Sequence, residues 1–170
     1  MPELPEVEVT AMHLREFLAD TVLAQWSCSG KRLRHPVPKK AFSLLVGEPL
    51  LQIARRAKYL CLEFPQGWLV VHLGMSGSVQ CLPLDAKTHS PTMKLHDHVV
   101  LRFRRPNGQE ILFTYHDPRR FGSFQWFSRQ RAQTLQVLGA RLGSAALGVE
   151  PLEERFSGSY LFEHSRSVLQ

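Results

Sequence analysis

From Leu50 onward the chain passes through seven short apolar and aromatic stretches, at 50–56, 59–64, 68–73, 76–82, 97–104, 110–116 and 121–127, parted by turn residues. Stretches of this length and composition read as strands, since they are too short for ordinary helices. Two joints carry hairpin chemistry: Pro65-Gln66-Gly67, and Pro106-Asn107-Gly108, whose Asn-Gly pair tolerates the positive φ of a tight turn. Thr21 to Ser29 adds an eighth candidate strand. Consecutive strands so closely spaced pair antiparallel, because a parallel crossover needs a dozen or more residues. The expected fold class is α+β but mainly β: a two-layer antiparallel β-sandwich, or a flattened barrel, flanked by helices and followed by a short helical C-terminal tail.

The flanking helices show in the apolar periodicity. Val7, Ala11, Leu14 and Leu18 recur at spacings of four, three and four, which predicts an amphipathic helix from Pro5 to Leu18. Pro5 suits its first turn, and Glu6 and Glu8 suit the positive end of its dipole. A short helix is expected over 39–46, and helix formers return over 131–138. Glycines at 139, 143 and 148 suggest a linker, Glu150-Pro151-Leu152 a fresh helix start, and 160–168 a further helix. The expected organisation is a catalytic β-sandwich domain at 1–130, a linker at 131–148, and the beginning of a second, truncated domain at 149–170.

Charge narrows the class of partner. The net charge is +6, but residues 31–131 carry 17 Lys and Arg against 6 Asp and Glu, while the flanks are acidic. A basic middle suits a polyanion, because clustered cations displace the counterions of a phosphate backbone. There is no run of about eighteen apolar residues and no secretory signal pattern, so the expectation is a protein of the cytoplasm with no membrane partner. Cys28, Cys61 and Cys81 form no C-x-x-C pair and suggest neither a disulfide framework nor a zinc site.

Four stretches could carry chemistry. If Met1 is removed, Pro2 becomes a secondary amine that can attack an aldehyde-level carbon, and the resulting iminium is an electron sink for elimination. Glu3 beside it could move a proton at the same centre; the plainer reading makes Glu3 a helix cap. Arg55-Arg56-Ala57-Lys58 places cations between two strands, where Lys58 could pin a phosphate, pair with the Pro2 and Glu3 centre, or merely keep a sheet edge solvated. In His72-Leu73-Gly74-Met75-Ser76-Gly77, Met75 is either a wedge between bases or a filler of a core gap. His116-Asp117-Pro118-Arg119-Arg120-Phe121-Gly122 joins a turn to two cations and an aromatic ring that could stack on a base, or be buried. The alternating His96-Asp97-His98 suits a phosphate, or no ligand at all, better than a metal.

These stretches occur together and in order, and together they closely resemble the N-terminal domain of the formamidopyrimidine-DNA glycosylases, the family shared with endonuclease VIII. Pro2-Glu3-Leu4-Pro5-Glu6-Val7-Glu8, the motifs at 55–60, 72–77, 96–98 and 117–122, and Leu147 to Leu152 carry the likeness. It implies a base-excision repair enzyme, a monomer associated with the nucleoid, that flips an oxidised purine such as 8-oxoguanine or formamidopyrimidine out of double-stranded DNA. Pro2 would then displace the base and support strand cleavage as an abasic-site lyase. By the same resemblance Glu3, Glu6 and Lys58 join Pro2 in the catalytic centre. His72, Met75, His96, Arg119, Arg120 and Phe121 bind DNA, with Met75, Arg119 and Phe121 filling the space left by the flipped nucleotide. The tail from 149 would open the family's helix–two-turn–helix domain. The family's zinc-finger cysteines are not in the sequence, so no cofactor is expected, and a catalytically impaired DNA-binding module is the rival reading.

Overall fold

The computed structural model describes residues 2–85 and 92–142. Its elements are α1 (Leu4–Leu18), β1 (Val22–Cys28), α2 (Lys39–Leu45), β2 (Gln52–Arg56), β3 (Tyr59–Phe64), β4 (Gly67–His72), β5 (Ser78–Leu84), β6 (Asp97–Arg104), β7 (Glu110–His116), β8 (Ser123–Ser128) and α3 (Leu135–Arg141). The strands form two four-stranded antiparallel sheets, ordered β1-β6-β7-β5 and β2-β3-β4-β8. This is the expected sandwich. The helices anticipated after residue 148 lie outside the described residues.

The inner faces meet in one core. Leu60, Leu62, Phe64, Leu69, Val71 and Phe124 from one sheet oppose Leu23, Val99, Leu101, Phe103, Ile111, Phe113 and Tyr115 from the other. Each open side of the sandwich is closed by a helix. α1 buries Val7, Ala11, Leu14 and Leu18, the four residues of its apolar repeat, and touches β2 and β3 of one sheet and β5 of the other. On the opposite side α2 inserts Phe42 between Trp26 of β1 and Phe124 of β8, with ring centroids 5.5 and 6.0 Å away. A smaller cluster covers the outer face of the second sheet, where Ala132 and Leu138 pack on Cys61, Trp68 and Val70. The helix there starts at Leu135, four residues later than the run of helix formers begins.

Strand register collects the chemistry-bearing stretches at one end. Arg56 pairs with Tyr59, Tyr59 with His72, and His72 with Ser123. In the other sheet His116 pairs with both Ser78 and Asp97, and the Ser29 amide just beyond β1 donates to the His98 carbonyl at 3.0 Å. The turns 57–58, 73–77 and 117–122, the approach to β6, and the basic segment 30–38 therefore share that end. Two expected strand starts shift there. β5 begins at Ser78 and β8 at Ser123, not at 76 and 121, because 73–77 and 117–122 leave their ladders to pack on each other.

Candidate nucleic-acid interface and catalytic centre

The N-terminus of α1 rests beside the β2–β3 turn. Glu3 is the N-cap residue, and its amide donates to a Glu6 carboxylate oxygen at 2.5 Å, closing the first turn. The Glu3 carboxylate itself accepts from Lys58 Nζ at 2.8 Å. Glu3 thus caps α1 and pairs with Lys58 at the same time. The Lys58 hydrogen bond, reinforced by its charge, holds the Glu3 carboxyl below the usual carboxylate range. Pro2, half-buried, precedes this pair directly.

A second ion pair fixes how α1 meets the sheet. Glu8 accepts from Arg15 at 3.0 Å and from the Nε of Arg55, whose side chain is 4% exposed. Arg15 also donates to the Ile53 carbonyl at 2.8 Å, and Arg55 to the Ala57 carbonyl at 3.0 Å. Glu8 therefore serves as the joint between α1 and β2 more than as a dipole partner. Burial alone would raise its pKa, but hydrogen bonds from Arg15 and Arg55 bring it below the ordinary value. The turn that carries Lys58 is itself strained: Ala57 has φ +48°, a region that costs a non-glycine residue about 1 kcal/mol.

His72 closes the next strand pair. Its Nδ1 accepts the Gly74 amide at 3.0 Å, so the ring proton sits on Nε2, which remains the ring's donor. Burial first, then the nearby charges of Arg34 and Lys58, hold its pKa below the usual imidazole range, which keeps it a neutral donor. Arg34 was not among the sequence candidates. Its amide donates to the Gly122 carbonyl at 3.0 Å, which brings the exposed basic segment up to the His72 and 117–122 region. Only its membership in a run of cations hinted at this.

Met75 and Phe121 are 44% and 47% exposed. The core-filler readings of both are therefore set aside: they project from the two facing loops. The Arg119 guanidinium lies over the Phe121 ring at 5.1 Å, and Arg120, also exposed, has φ +58°. The loops touch through glycines. A Cβ at Gly74 would lie 2.5 Å from the Gly122 nitrogen, and one at Gly122 would lie 1.7 Å from the Tyr115 hydroxyl. Neither position accepts a side chain in this arrangement.

The 96–98 motif divides between surface and core. His98 is buried; its Nε2 donates to the Asp117 carbonyl at 2.9 Å, which leaves Nδ1 to accept from the Ser29 hydroxyl at 3.0 Å. Burial dominates in lowering its pKa. His96, half-buried with φ +72°, sets its ring edge-on to His116 at 5.9 Å, and His116 pairs with Asp97 at 3.0 Å. Among the described residues no group of three His, Cys, Asp or Glu could hold a metal ion, and Cys28, Cys61 and Cys81 lie on three different strands. These residues do not fit a zinc finger. Among the described residues no helix is long and apolar enough to cross a membrane.

A two-sheet domain that gathers a proline at position 2, a Glu-Lys pair, a neutral histidine and two protruding prongs at one basic end belongs to a narrow class. A sequence model of the formamidopyrimidine-DNA glycosylase N-terminal domain matches residues 1–124, and the chain belongs to that family. It is 43% identical over 166 residues to the formamidopyrimidine-DNA glycosylase of Edwardsiella ictaluri, covering 98% of this chain and 55% of that protein. With the enzyme of the same name from Aromatoleum aromaticum it shares 43% over 168 residues, covering 99% and 56%. The solved Lactococcus lactis formamidopyrimidine-DNA glycosylase, non-covalently bound to DNA containing an abasic site, superposes with a TM-score of 0.70 at 29% identity, over 98% of this chain and 58% of that one. The chain spans just over half the length of these relatives.

Proposed function

We propose that the chain carries the catalytic half of a base-excision DNA glycosylase and abasic-site lyase acting on oxidised purines in double-stranded DNA. The observation that supports this most is the Glu3–Lys58 pair at 2.8 Å immediately after Pro2, at the same end as the exposed Met75 and Phe121. With Met1 gone, the Pro2 nitrogen bonds to the deoxyribose C1′ as the glycosidic bond breaks, and the base leaves with the bonding pair and gains a proton. Glu3, ionised beside Lys58, accepts the proton of the attacking amine and returns it to the ring oxygen as the sugar opens. The iminium then acidifies C2′, so that β-elimination expels the 3′ phosphate and a further elimination the 5′ phosphate. Glu6 holds the Glu3 backbone. Lys58, the Nε2–H of His72, His96 and Arg120 meet phosphates, while Met75, Arg119 and Phe121 occupy the space of the flipped nucleotide.

The nucleophile, acid and base all come from the chain, so the proposed reaction calls on no cofactor. Residues 1–130 form the catalytic domain in this reading, with a monomer acting on one duplex in the nucleoid. Residues 131–148 then lead toward a helix–two-turn–helix domain beginning at 149. Nicking of a duplex bearing a single 8-oxoguanine tests the reading: Pro2→Gly and Glu3→Gln each abolish it, and undiminished nicking by Pro2→Gly refutes it. A DNA-binding module without chemistry is the second reading, favoured by the exposed Met75 and Phe121 prongs with Arg119 over the Phe121 ring, which suit binding by themselves. It predicts salt-sensitive binding and no nicking by the unaltered chain.

A further inference from the structure

Asp117 is fully buried, yet its carboxylate meets only neutral donors among its described hydrogen-bond partners. Oδ1 accepts from the Ser76 hydroxyl at 2.7 Å; Oδ2 accepts from the Tyr115 hydroxyl and the Gly122 amide, both at 2.9 Å. The backbone is held too, since its amide donates to the His96 carbonyl at 3.0 Å and its carbonyl accepts from His98 at 2.9 Å. Ser76 then extends the network, its Oγ accepting the Arg119 amide at 3.3 Å. One carboxylate thus binds the loop that presents Met75, the loop that presents Arg119 and Phe121, and Tyr115 of the rigid core. Burial opposes its charge, but the Ser76, Gly122 and Tyr115 bonds outweigh that and keep its pKa low.

We propose that Asp117, acting through Ser76, is a positioning residue that locks loops 73–77 and 117–122 into a single inserting unit, so that Met75, Arg119 and Phe121 enter the duplex together. The inference rests on the DNA reading given above, but its mechanical part does not. Two loops free to move separately would each lose conformational freedom on entering DNA, whereas a pre-joined pair has lost it on folding. A buried carboxylate suits that task because a hydrogen bond to an ionised acceptor is about twice as strong as one to a neutral group.

The test uses Ser76→Ala, which cuts the link while leaving Asp117 anchored to Tyr115 and Gly122, and Ser76→Thr, which keeps the hydroxyl. Insertion is read by the fluorescence of 2-aminopurine placed next to a tetrahydrofuran abasic analogue in a duplex. Ser76→Ala lowers the insertion equilibrium roughly tenfold, Ser76→Thr restores most of it, and Ser76→Ala combined with Phe121→Ala is little worse than Phe121→Ala alone. Additive losses, or an unaltered signal in Ser76→Ala, overturn the proposal. Amide exchange without DNA separates the two layers: Ser76→Ala speeds exchange in both loops at once while β3 and β4 stay protected. Faster exchange in 73–77 alone overturns the coupling. A wild-type chain that gives no insertion signal counts against the DNA reading instead, and the exchange result then decides the coupling by itself.

Discussion

Glu8→Gln keeps shape and hydrogen-bonding capacity but removes the charge that holds α1 to the sheet. Arg55, with a side chain 4% exposed, then loses the carboxylate on its Nε, and Arg15 loses its partner at 3.0 Å. Removing one member of a fully buried pair costs about 3–5 kcal/mol where nothing else compensates the other charge, and Arg55 keeps its bond to the Ala57 carbonyl. Glu8 is itself 25% exposed, so water offsets part of this, and a loss of about 2–3 kcal/mol is expected. For a domain of this size that is a fall in Tm of about 5–10 °C. Urea and thermal unfolding followed by tryptophan fluorescence measure it. Glu16→Gln, on an exposed position of the same helix, serves as control and stays within about 0.5 kcal/mol. A Glu8→Gln loss no larger than the control refutes the reasoning that this carboxylate joins helix to sheet. Because Glu8 has a lowered folded pKa, its contribution is full above the ordinary carboxylate range and disappears as pH falls through the folded value.

The remaining expectations concern the site. In Lys58→Ala the Glu3 carboxyl titrates higher, since its lowering comes first from the Lys58 hydrogen bond; an unmoved midpoint in a carbon-detected NMR titration denies the pairing. His98 and His72 both have folded pKa values below the unfolded one near 6.5, so the unfolded chain takes up protons first. Their stabilisation is therefore full above about pH 6.5 and lost as pH falls below it, and urea midpoints at about pH 7, 6 and 5 should decline, less steeply in His98→Gln. Met75→Ala and Phe121→Ala, at positions nearly half exposed, leave stability within about 1 kcal/mol while impairing unstacking of a lesion duplex; cooperative loss of folding instead returns both side chains to the core.

The sandwich was legible because strand runs and turn residues are local signals. The α1 periodicity, too, named its four buried residues directly. What escaped was tertiary. Ser76 and Phe121 have neighbours that read as strand, and the loops form there because Gly74 and Gly122 let the two backbones touch across more than forty residues of sequence. An Asp before a Pro signals a turn, and nothing adjacent to Asp117 tells that its carboxylate is fully buried under three donors. Similarly, Glu8 reads as a dipole partner until Arg55, 47 residues later, is placed against it. Glu3 and Lys58 stood out as residue types, but their 2.8 Å meeting depends on how α1 docks.

The central claim is that Pro2 is a nucleophile, and borohydride trapping tests it most directly. Once mass spectrometry has confirmed a chain free of Met1, it is mixed with duplex DNA bearing an abasic site, and hydride reduces any iminium to a stable amine. The account predicts a covalent protein–DNA adduct that disappears in Pro2→Gly. An adduct of equal yield in that variant, or none from the Met1-free chain, contradicts it.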